Sequence, residues 1–402
     1  MRTVDEHLND ILGSVPVLPP LDLALLEAQG TVLAEPVCAP VALPPFDNSA
    51  MDGYAVVASD VAGATETDPV TLPVVGDVVA GDPAVSALRP GLTARIMTGA
   101  PMPAGADAVI PVEWTDGGTA HVRIVRPAPS GHYIRRAGED VRAGQVVVAA
   151  GTRLRAPQLG MIAAVGASRV TVRPKPRIVV VSTGDELREP GTSLGHGQIW
   201  ESNSYMLTVA VAEAGGVGYR QATVDDEPGS VKEMLEDQIA RADAIVTSGG
   251  VSMGSRDVVK EVLTGTGTVK FHKVGMRPGK PQGFGLLEGT PIFTLPGNPV
   301  SAYVSFQVFV RPALRAMQGL PPEPLPTVSA VLSGDIKSPA GLRHFLRGNL
   351  TYGEDGYTVD PADVQGSHQL ASLAAANALI TVPESAETLP AGSTVDVMRL
   401  PA

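Results

Sequence analysis

The chain has 402 residues, of which 44% are apolar and only 4% aromatic, and its net charge at pH 7 is -12. This length predicts several domains whose cores are filled by aliphatic side chains, and the acidic balance argues against a nucleic-acid partner. The single cysteine, Cys38, excludes an internal disulfide, an iron–sulfur cluster and a zinc knuckle.

The N-terminal stretch "MRTVDEHLND" lacks the basic end and apolar core of a signal peptide. No run approaches the roughly 18 apolar residues that a membrane span needs. We therefore expect a cytoplasmic protein without membrane contact. Residues 1 to about 30 predict two short helices, separated by the proline-bearing segment "GSVPVLPP".

Short β-type runs such as "YAVVAS" and "AVIPVEW" fill residues 41–140 and predict a small inserted β domain. Helical character returns in "PQLGMIAAVG". We therefore expect residues 1–40 and 141–173 to form one discontinuous domain of mixed helices and strands. Within the β domain, "PPFDNSAMDGYAV" (44–56) is more elaborate than a simple connecting loop requires.

Strands and helices alternate over residues 174–320, which is typical of a parallel α/β sheet. "RIVVVSTGDEL" reads as a buried strand, and "SNSYMLTVAVAEAGG" as a helix capped by Asn203 or Ser204 and ended by Gly215. Residues 325–402 predict a C-terminal domain resembling a β-barrel. The predicted fold is thus α/β and β multidomain, with a central nucleotide-binding-type domain.

Polar, glycine-bearing loops follow the three best-defined strands of this central domain: "STGDEL" (182–187), "TSGGVSMGSRD" (247–257) and "LPGNPVSA" (295–302). Ligands of open parallel sheets bind beyond the carboxyl ends of the strands, where backbone N–H groups can line a phosphate. Asn298 is the expected cap of the following helix and Pro299 its first residue. Together the loops indicate an anionic ligand, most simply a nucleotide.

Several familiar sites are missing from the sequence. No G-x-G-x-x-G follows a strand, no Walker lysine motif occurs, and the seven histidines show no metal-binding spacing. His272 and His368 could line a pocket, although a structural or surface role is the simpler interpretation for each. No serine or cysteine stands in a nucleophile motif.

Five carboxylates fall at predicted strand ends or in adjacent loops: Asp185, Glu186, Asp225, Asp226 and Asp257. Mg²⁺ prefers a few carboxylates together with water and ligand phosphates, so such a set suits it. A helix cap or turn role is the alternative for each one.

The stretch "KVGMRPGKPQGFG" (273–285) holds three cations, Lys273, Arg277 and Lys280, and no acid. In an acidic chain such a loop could bind an oxyanion by charge-assisted hydrogen bonds. The alternative is a solvated surface turn.

Eight motifs, in order along nearly the whole chain, resemble the molybdopterin molybdenumtransferase (MoeA) family, to which the E domain of gephyrin also belongs. They are "PPFDNSAMDGYA", "RIMTGAPMPAGADAVIPVE", "RRAGEDVRAG", "STGDEL", "SNSYML", "TSGGVSMGSRD", "RPGKP" and "LPGNPVSA". The resemblance implies an L-shaped homodimer of four-domain subunits. It also implies Mg²⁺-dependent insertion of molybdate into adenylylated molybdopterin, with release of AMP.

The resemblance also nominates site residues. The pterin-nucleotide surface would comprise Thr183, Gly184, Asp185, Glu186, Ser248, Gly249, Gly250, Ser252, Lys273, Pro296, Gly297 and Asn298. The molybdate pocket would comprise Arg277, Lys280 and Ser301, closed by Ser367, Ser372 and Arg343. Asp52 and Thr98 match positions that the family brings to the cleft from the partner subunit, and Asp140 matches a further acid. The expected catalytic residues are Asp52, Asp140, Glu186, Asp257 and Lys280. The expected Mg²⁺ ligands, taken from the carboxylates at the predicted strand ends, are Glu186, Asp225, Asp226 and Asp257.

The chain departs from the family pattern at Arg277, where many relatives carry lysine. A guanidinium can still hold a tetrahedral dianion, but its planar geometry differs from that of an ammonium group. Two alternatives to the enzyme remain: a gephyrin-like scaffold, and a different enzyme on the same α/β domain, such as a pyrophosphatase. An upstream molybdopterin adenylyltransferase is a further candidate partner.

Overall fold

The computed structural model describes residues 1–81, 87–224, 227–250 and 258–401. The chain divides into two compact units. We call the first the α/β unit; it comprises Met1–Leu23, Gly30–Ala34 and Thr171–Ala402. The second, the β unit, comprises Ala24–Gln29 and Glu35–Val170. In the described ranges, every helix is too short or too polar to cross a membrane.

The described α-helices are α1 (Val4–Leu12), α2 (Ala156–Ala164), α3 (Asn203–Glu213), α4 (Pro228–Ile239), α5 (Val258–Gly265), α6 (Pro299–Ser305), α7 (Arg311–Met317) and α8 (Leu370–Ala375). A π-helical turn over Phe306–Val310 joins α6 to α7, and 3₁₀ turns occur at Ala58–Val61 and Val112–Trp114.

The strands are β1 (Leu21–Ala24), β2 (Val32–Leu33), β3 (Val37–Cys38), β4 (Asn48–Ser49), β5 (Gly53–Val56), β6 (Val70–Val78), β7 (Thr93–Ile96), β8 (Ala108–Pro111), β9 (His121–Ile124), β10 (Ile134–Arg135), β11 (Val146–Val148), β12 (Arg169–Arg173), β13 (Arg177–Ser182), β14 (Leu187–Arg188), β15 (Ile199–Trp200), β16 (Val217–Arg220), β17 (Ala244–Ser248), β18 (Val269–Lys273), β19 (Met276–Arg277), β20 (Pro281–Leu287), β21 (Thr290–Leu295), β22 (Thr327–Leu332), β23 (Ile336–Lys337), β24 (Arg343–Gly353), β25 (Gly356–Pro361), β26 (Ala378–Val382), β27 (Thr388–Leu389) and β28 (Thr394–Arg399).

A six-stranded sheet, in the order β16-β13-β17-β21-β20-β18, forms the centre of the α/β unit. The first four strands are parallel, and β20 and β18 extend the sheet antiparallel. Along β13 the side chains alternate between two cores: Val180 packs with α3 and α6, and Val179 with α4 and α5. Burial on both faces explains why this strand is a continuous apolar run.

A closed barrel of five strands, β24-β25-β22-β28-β26, lies in the C-terminal part of the α/β unit. Its interior is filled by aliphatic side chains such as Leu346, Val359 and Val397. The β24–β25 hairpin turns at Glu354 and Asp355, and Gly356 follows at a φ of 106°. The predicted α/β and β multidomain class, with a barrel-like C-terminal domain, is confirmed.

In the β unit, a five-stranded sheet runs in the order β8-β5-β7-β6-β9. Tyr54 and Val56 face one core, and the intervening Ala55 faces another. Helix α2 lies in the "PQLGMIAAVG" segment, as its sequence predicts.

The finer division of the chain into four domains, with the bounds given above, stays a prediction.

One element differs from its sequence-based prediction. Helix α1 forms, with Thr3 and Glu6 making a capping box, but the second predicted N-terminal helix is wrong. Residues 21–24 form β1 instead, followed by turns. The prolines Pro19 and Pro20 lead the chain into this extended segment, because proline supplies no N–H for a helix interior.

Two glycines let β20 pack closely against its neighbours. A Cβ added to Gly285 would overlap the carbonyl oxygen of Thr268 and lie 2.5 Å from Cα of Val269. A Cβ added to Gly283 would overlap Thr294 Oγ1. The sheet beside the cationic loop therefore requires glycine at both positions.

We predict that Gly285→Ala lowers the free energy of unfolding by about 1–3 kcal/mol, the usual cost of overpacking a core. The added methyl group meets backbone atoms, which cannot move without shifting β18. Chemical denaturation followed by circular dichroism measures the change. Gly229→Ala in α4 is the matched control, because nothing lies within 4 Å of its added Cβ. Equal stability of the two variants would contradict the prediction.

Candidate active site

A cleft of about 760 Å³ opens at the carboxyl edge of the parallel strands in the α/β unit. We call it the first chamber. It is lined by the loops that follow β13, β17 and β21, as the sequence predicts for this edge. These loops contribute Thr183, Gly184, Glu186, Ser248, Gly249, Gly250, Pro296, Gly297 and Asn298.

Glycine allows the three loops to approach each other. Gly249 has a φ of 100°, and a Cβ there would lie 2.6 Å from the carbonyl oxygen of Thr183. A Cβ on Gly297 would meet Gly249 Cα at 3.5 Å. Backbone hydrogen bonds join the same segments, from Thr183 N to Ser248 O (3.1 Å) and from Gly249 N to Leu295 O (3.2 Å). The part of the chamber surface that these glycines form, which we call its floor, therefore exposes backbone rather than side chains.

Asn203, at the start of α3, ties two of these loops together. Its Nδ2 donates to Ser248 Oγ (2.9 Å) and to the carbonyl oxygen of Gly297 (2.6 Å). The buried Oδ1 of Asn203 and the buried Oγ1 of Thr183 have no hydrogen-bond partner among the described residues. Both residues line the first chamber, so a ligand could satisfy these polar atoms.

Glu201 is a lining residue that the sequence analysis missed. Its carboxylate is buried and accepts hydrogen bonds from Ser182 Oγ (2.7 Å), Ser204 N (2.7 Å) and Ser204 Oγ (2.6 Å). It therefore accepts an N–H group of the first turn of α3. The N-cap residue is Ser202, so the prediction of Asn203 or Ser204 as the cap is wrong. The signal was available in the sequence, since an acid directly precedes the "SNSYML" helix start.

A second chamber, of about 560 Å³, adjoins the first. Its residues come from the "MRPGKP" loop, from α6, from the segment between β23 and β24, and from the segment before α8: Met276, Arg277, Pro278, Gly279, Lys280, Ser301, Pro339, Leu342, Gln365, Gly366, Ser367 and His368. Three residues, Gly279, Ser301 and His368, line both chambers.

Buried hydrogen bonds hold the cationic loop in place. Gln282 Nε2 donates to the carbonyl oxygen of Gly279 (2.7 Å) and to Ser305 Oγ (2.6 Å), and both Gln282 and Ser305 are buried. On the opposite wall, Asn298 Nδ2 donates to Ser367 Oγ (3.1 Å) and Val300 N to Ser367 O (3.1 Å). Asn298 is the N-cap residue of α6, as predicted. Its side chain makes no capping hydrogen bond, however, and donates to Ser367 instead.

Two further basic residues lie near the loop, and sequence reasoning did not select either. His344 pairs with Arg277 across β19 and β24. Burial, followed by the charges of Arg277 and Arg347, lowers the pKa of His344 to about 4. Burial also lowers the pKa of Arg347, whose Nη2 donates to the carbonyl oxygen of Val364 (2.7 Å). Gln365, which lines the second chamber, hydrogen-bonds the backbone of Arg347.

Other nominated residues of the α/β unit do not line either chamber. The Arg343 guanidinium binds both carboxylate oxygens of Asp5 (2.8 Å each) and one of Glu384 (3.0 Å). Ser372 Oγ donates to the carbonyl oxygen of Gln369 (3.0 Å). Lys273 ends β18, where its carbonyl oxygen accepts from Arg2 N (3.0 Å), and the carbonyl oxygen of Asp185 accepts from Arg188 Nη1 (2.9 Å).

The β unit brings two nominated residues together. Asp52 Oδ1 accepts hydrogen bonds from the Thr98 backbone N (2.6 Å) and from Thr98 Oγ1 (2.8 Å). These bonds, the backbone one foremost, lower the pKa of Asp52. Asp140, the third nominated residue of this unit, has its N–H bonded to the carbonyl oxygen of Leu43 (3.1 Å).

Four nominated residues, Asp225, Asp226, Ser252 and Asp257, lie outside the described residues. Within the residues that are described, no group of three or more histidine, cysteine, aspartate or glutamate side chains could hold a metal ion. Of the expected magnesium ligands, only Glu186 is described, and it lines the first chamber.

Comparisons with known proteins cover the whole chain. Residues 2–166 match the MoeA N-terminal region (domain I and II), residues 179–316 a probable molybdopterin binding domain, and residues 329–400 the MoeA C-terminal region (domain IV). The chain is 47% identical over 406 residues to "Molybdopterin molybdenumtransferase 2" of Mycobacterium tuberculosis, covering 100% of both chains. It is 35% identical to "Molybdopterin molybdenumtransferase" of Haemophilus influenzae, covering 99% of this chain and 98% of that protein.

The fold comparison agrees with these matches. The crystal structure of a molybdopterin biosynthesis MoeA protein from Pyrococcus horikoshii superposes with a TM-score of 0.84 at 32% identity. It covers 100% of this chain and 99% of the solved one. The chain therefore belongs to the molybdopterin molybdenumtransferase (MoeA) family, a family of transferases in molybdenum cofactor biosynthesis.

Proposed function

We propose that the chain inserts molybdate into adenylylated molybdopterin, with release of AMP, and that it acts as a homodimer. One observation carries the proposal: a chamber floored by loop backbone adjoins a chamber that contains two cations and a buried serine. The first suits a nucleotide and the second a small tetrahedral dianion. The proposed upstream partner is the molybdopterin adenylyltransferase that would supply the adenylylated substrate.

The first chamber supplies the contacts that a pterin nucleotide needs. Backbone N–H groups of a glycine-rich loop can donate to phosphate oxygens without side-chain obstruction. Asn203 and Thr183 each contribute a buried polar atom that has no partner within the described ranges. Since Asn203 also fixes the loops after β17 and β21, this surface is organised before a ligand binds.

The second chamber supplies positive charge for molybdate. Arg277 and Lys280 lie on either side of Pro278 and Gly279 and both line the chamber, as does the hydroxyl-bearing Ser301. Molybdate beside bound phosphates would be repelled unless fixed cations stood near it. Charge-assisted hydrogen bonds to both side chains offset that repulsion. The chamber therefore favours an enzyme over a scaffold, which has no need of these cations.

Magnesium fits the donor chemistry of the first chamber. The Glu186 carboxylate lies over Gly184, with Oε2 2.6 Å from where a Cβ on that glycine would stand. Glycine thus leaves room for a carboxylate whose oxygens are the ligands that Mg²⁺ prefers. We propose that Glu186 holds the ion, together with acids outside the described residues. When bound, Mg²⁺ would neutralise charge on the phosphoanhydride.

The direct test incubates the purified protein with adenylylated molybdopterin, Mg²⁺ and molybdate, and measures AMP by chromatography. We expect AMP release that requires molybdate and that scales with enzyme concentration. AMP formed equally without molybdate would indicate a pyrophosphatase-type hydrolase. Absence of AMP with retained substrate binding would favour a scaffold.

We predict that Lys280→Met raises the molybdate concentration for half-maximal AMP release about 10- to 150-fold. This range corresponds to the roughly 1.5–3 kcal/mol of a hydrogen bond to a charged group. Folding and pterin-nucleotide binding should persist, since Lys280 lines only the second chamber. Lys337→Met removes the same charge from an exposed position on β23 and is the matched control. An unchanged molybdate dependence in Lys280→Met would identify "RPGKP" as a surface turn.

We further predict that Asp52 acts in the cleft of the partner subunit. Asp52→Ala and Lys280→Met subunits, assayed at a low molybdate concentration that leaves each variant nearly inactive alone, should then form hybrid dimers with one intact site. With free exchange at equal amounts, about a quarter of wild-type activity returns, because half of the dimers are hybrids. Exchange is checked by native mass spectrometry. If hybrids form without recovery, Asp52 and Lys280 serve the same subunit's cleft.

A further inference from the structure

His368 occupies an unusual position between the two chambers. It lines both of them, and the other two residues that do so, Gly279 and Ser301, have no acid–base side chain for neutral pH. Among the described residues, His368 is thus the single histidine or carboxylate that both chambers share. A group at this position can exchange protons with a ligand in either chamber.

The imidazole of His368 is also available. The residue is exposed, and within the described part of the chain no side-chain or backbone group hydrogen-bonds to its ring. Its Cε1 lies 3.1 Å from the position that a Cβ on Gly366 would take, so glycine at 366 leaves room for the ring. The neighbouring Ser367 is tied to Asn298 and Val300, which holds the backbone at this point.

The proposed reaction requires proton transfer between the chambers. Molybdopterin offers two thiols, and molybdate carries four oxygens on Mo(VI). Formation of two Mo–S bonds with loss of one oxygen releases one water molecule. Both thiol protons are needed to make that water, and no electron is transferred. Release of AMP breaks the phosphoanhydride bond and consumes one water, whose oxygen joins one phosphorus and whose protons pass to solvent, so insertion and AMP release together make no net water. Thiols bound in the first chamber and molybdate bound in the second would therefore lie on opposite sides of His368.

We propose that His368 is a catalytic residue that carries protons from the thiols of molybdopterin to the departing molybdate oxygen. This inference rests on the proposed function. Histidine both accepts and releases protons near neutral pH, which suits a relay. The charged groups around it have other roles: Arg277 and Lys280 line the second chamber as the proposed anion ligands, and Glu201 accepts an N–H of the first turn of α3. Glu186, in the first chamber, is the proposed magnesium ligand.

The test measures single-turnover AMP release at saturating molybdate from about pH 5.5 to 9, with quantification of molybdenum bound to the pterin. His368→Gln, which keeps hydrogen bonding but cannot relay protons, should lower the rate of molybdenum insertion about 100-fold or more. The pH dependence of the rate should also differ between this variant and the wild type. His368→Ala should respond likewise, and added imidazole should restore part of its rate.

Controls separate the inference from the function on which it rests. His196→Gln changes an exposed histidine that lines neither chamber and should match the wild type. Thermal unfolding checks that each variant is folded. If the wild type releases no AMP with molybdate, the proposed function fails and the relay with it.

An active wild type with an unchanged rate and pH profile in His368→Gln overturns the relay alone. The same assay repeated over a range of molybdate concentrations gives a second check: a change confined to the half-saturating concentration would make His368 a binding residue and overturn the relay.

Discussion

The close approach of three loops at the carboxyl edge of the six-stranded sheet is the constraint on which the site depends. The loops after β13, β17 and β21 meet where glycine removes side-chain bulk, and Gly249 passes beside the Thr183 carbonyl group. Asn203 then joins the second and third loops by two hydrogen bonds. Any side chain at Gly249 would force these segments apart. The first chamber is therefore a consequence of backbone packing at one edge of the sheet.

The second chamber depends on segments that are distant along the chain. Hydrogen bonds from Asn298 and Val300 hold Ser367 against the start of α6, and β19 pairs with β24 of the barrel. The barrel thus brings its connecting segment to the cationic loop. Hydroxyl, amide and imidazole groups of Ser367, Gln365 and His368 therefore line the same chamber as Arg277 and Lys280.

The basic residues near the second chamber differ in their charge and in their ion pairs. Burial and neighbouring cations hold the pKa of His344 far below its usual range, so this residue is neutral at pH 7 and adds no charge beside Arg277. Arg343 is neutralised by Asp5 and Glu384. Among the described residues, the lysine and arginine side chains that line the second chamber are confined to one short loop. A local positive site in a chain of net charge -12 is consistent with an anionic substrate that must be held at one point.

The sequence by itself determined the α/β alternation, the carboxyl-edge loops and the cationic loop, because periodicity, glycine placement and local charge are encoded over short stretches. It also carried the family resemblance. It did not reveal the bond between Asn298 and Ser367 or the pairing of Arg343 with Asp5.

Such contacts join residues up to 338 positions apart, and no local pattern specifies them. The position of His368 is of the same kind. Its sequence neighbourhood allowed a surface role, and only the packing of the barrel segment against α6 and the "RPGKP" loop placed it between two chambers. Tertiary structure decided this, because a shared wall is formed by elements that meet only once the chain has folded.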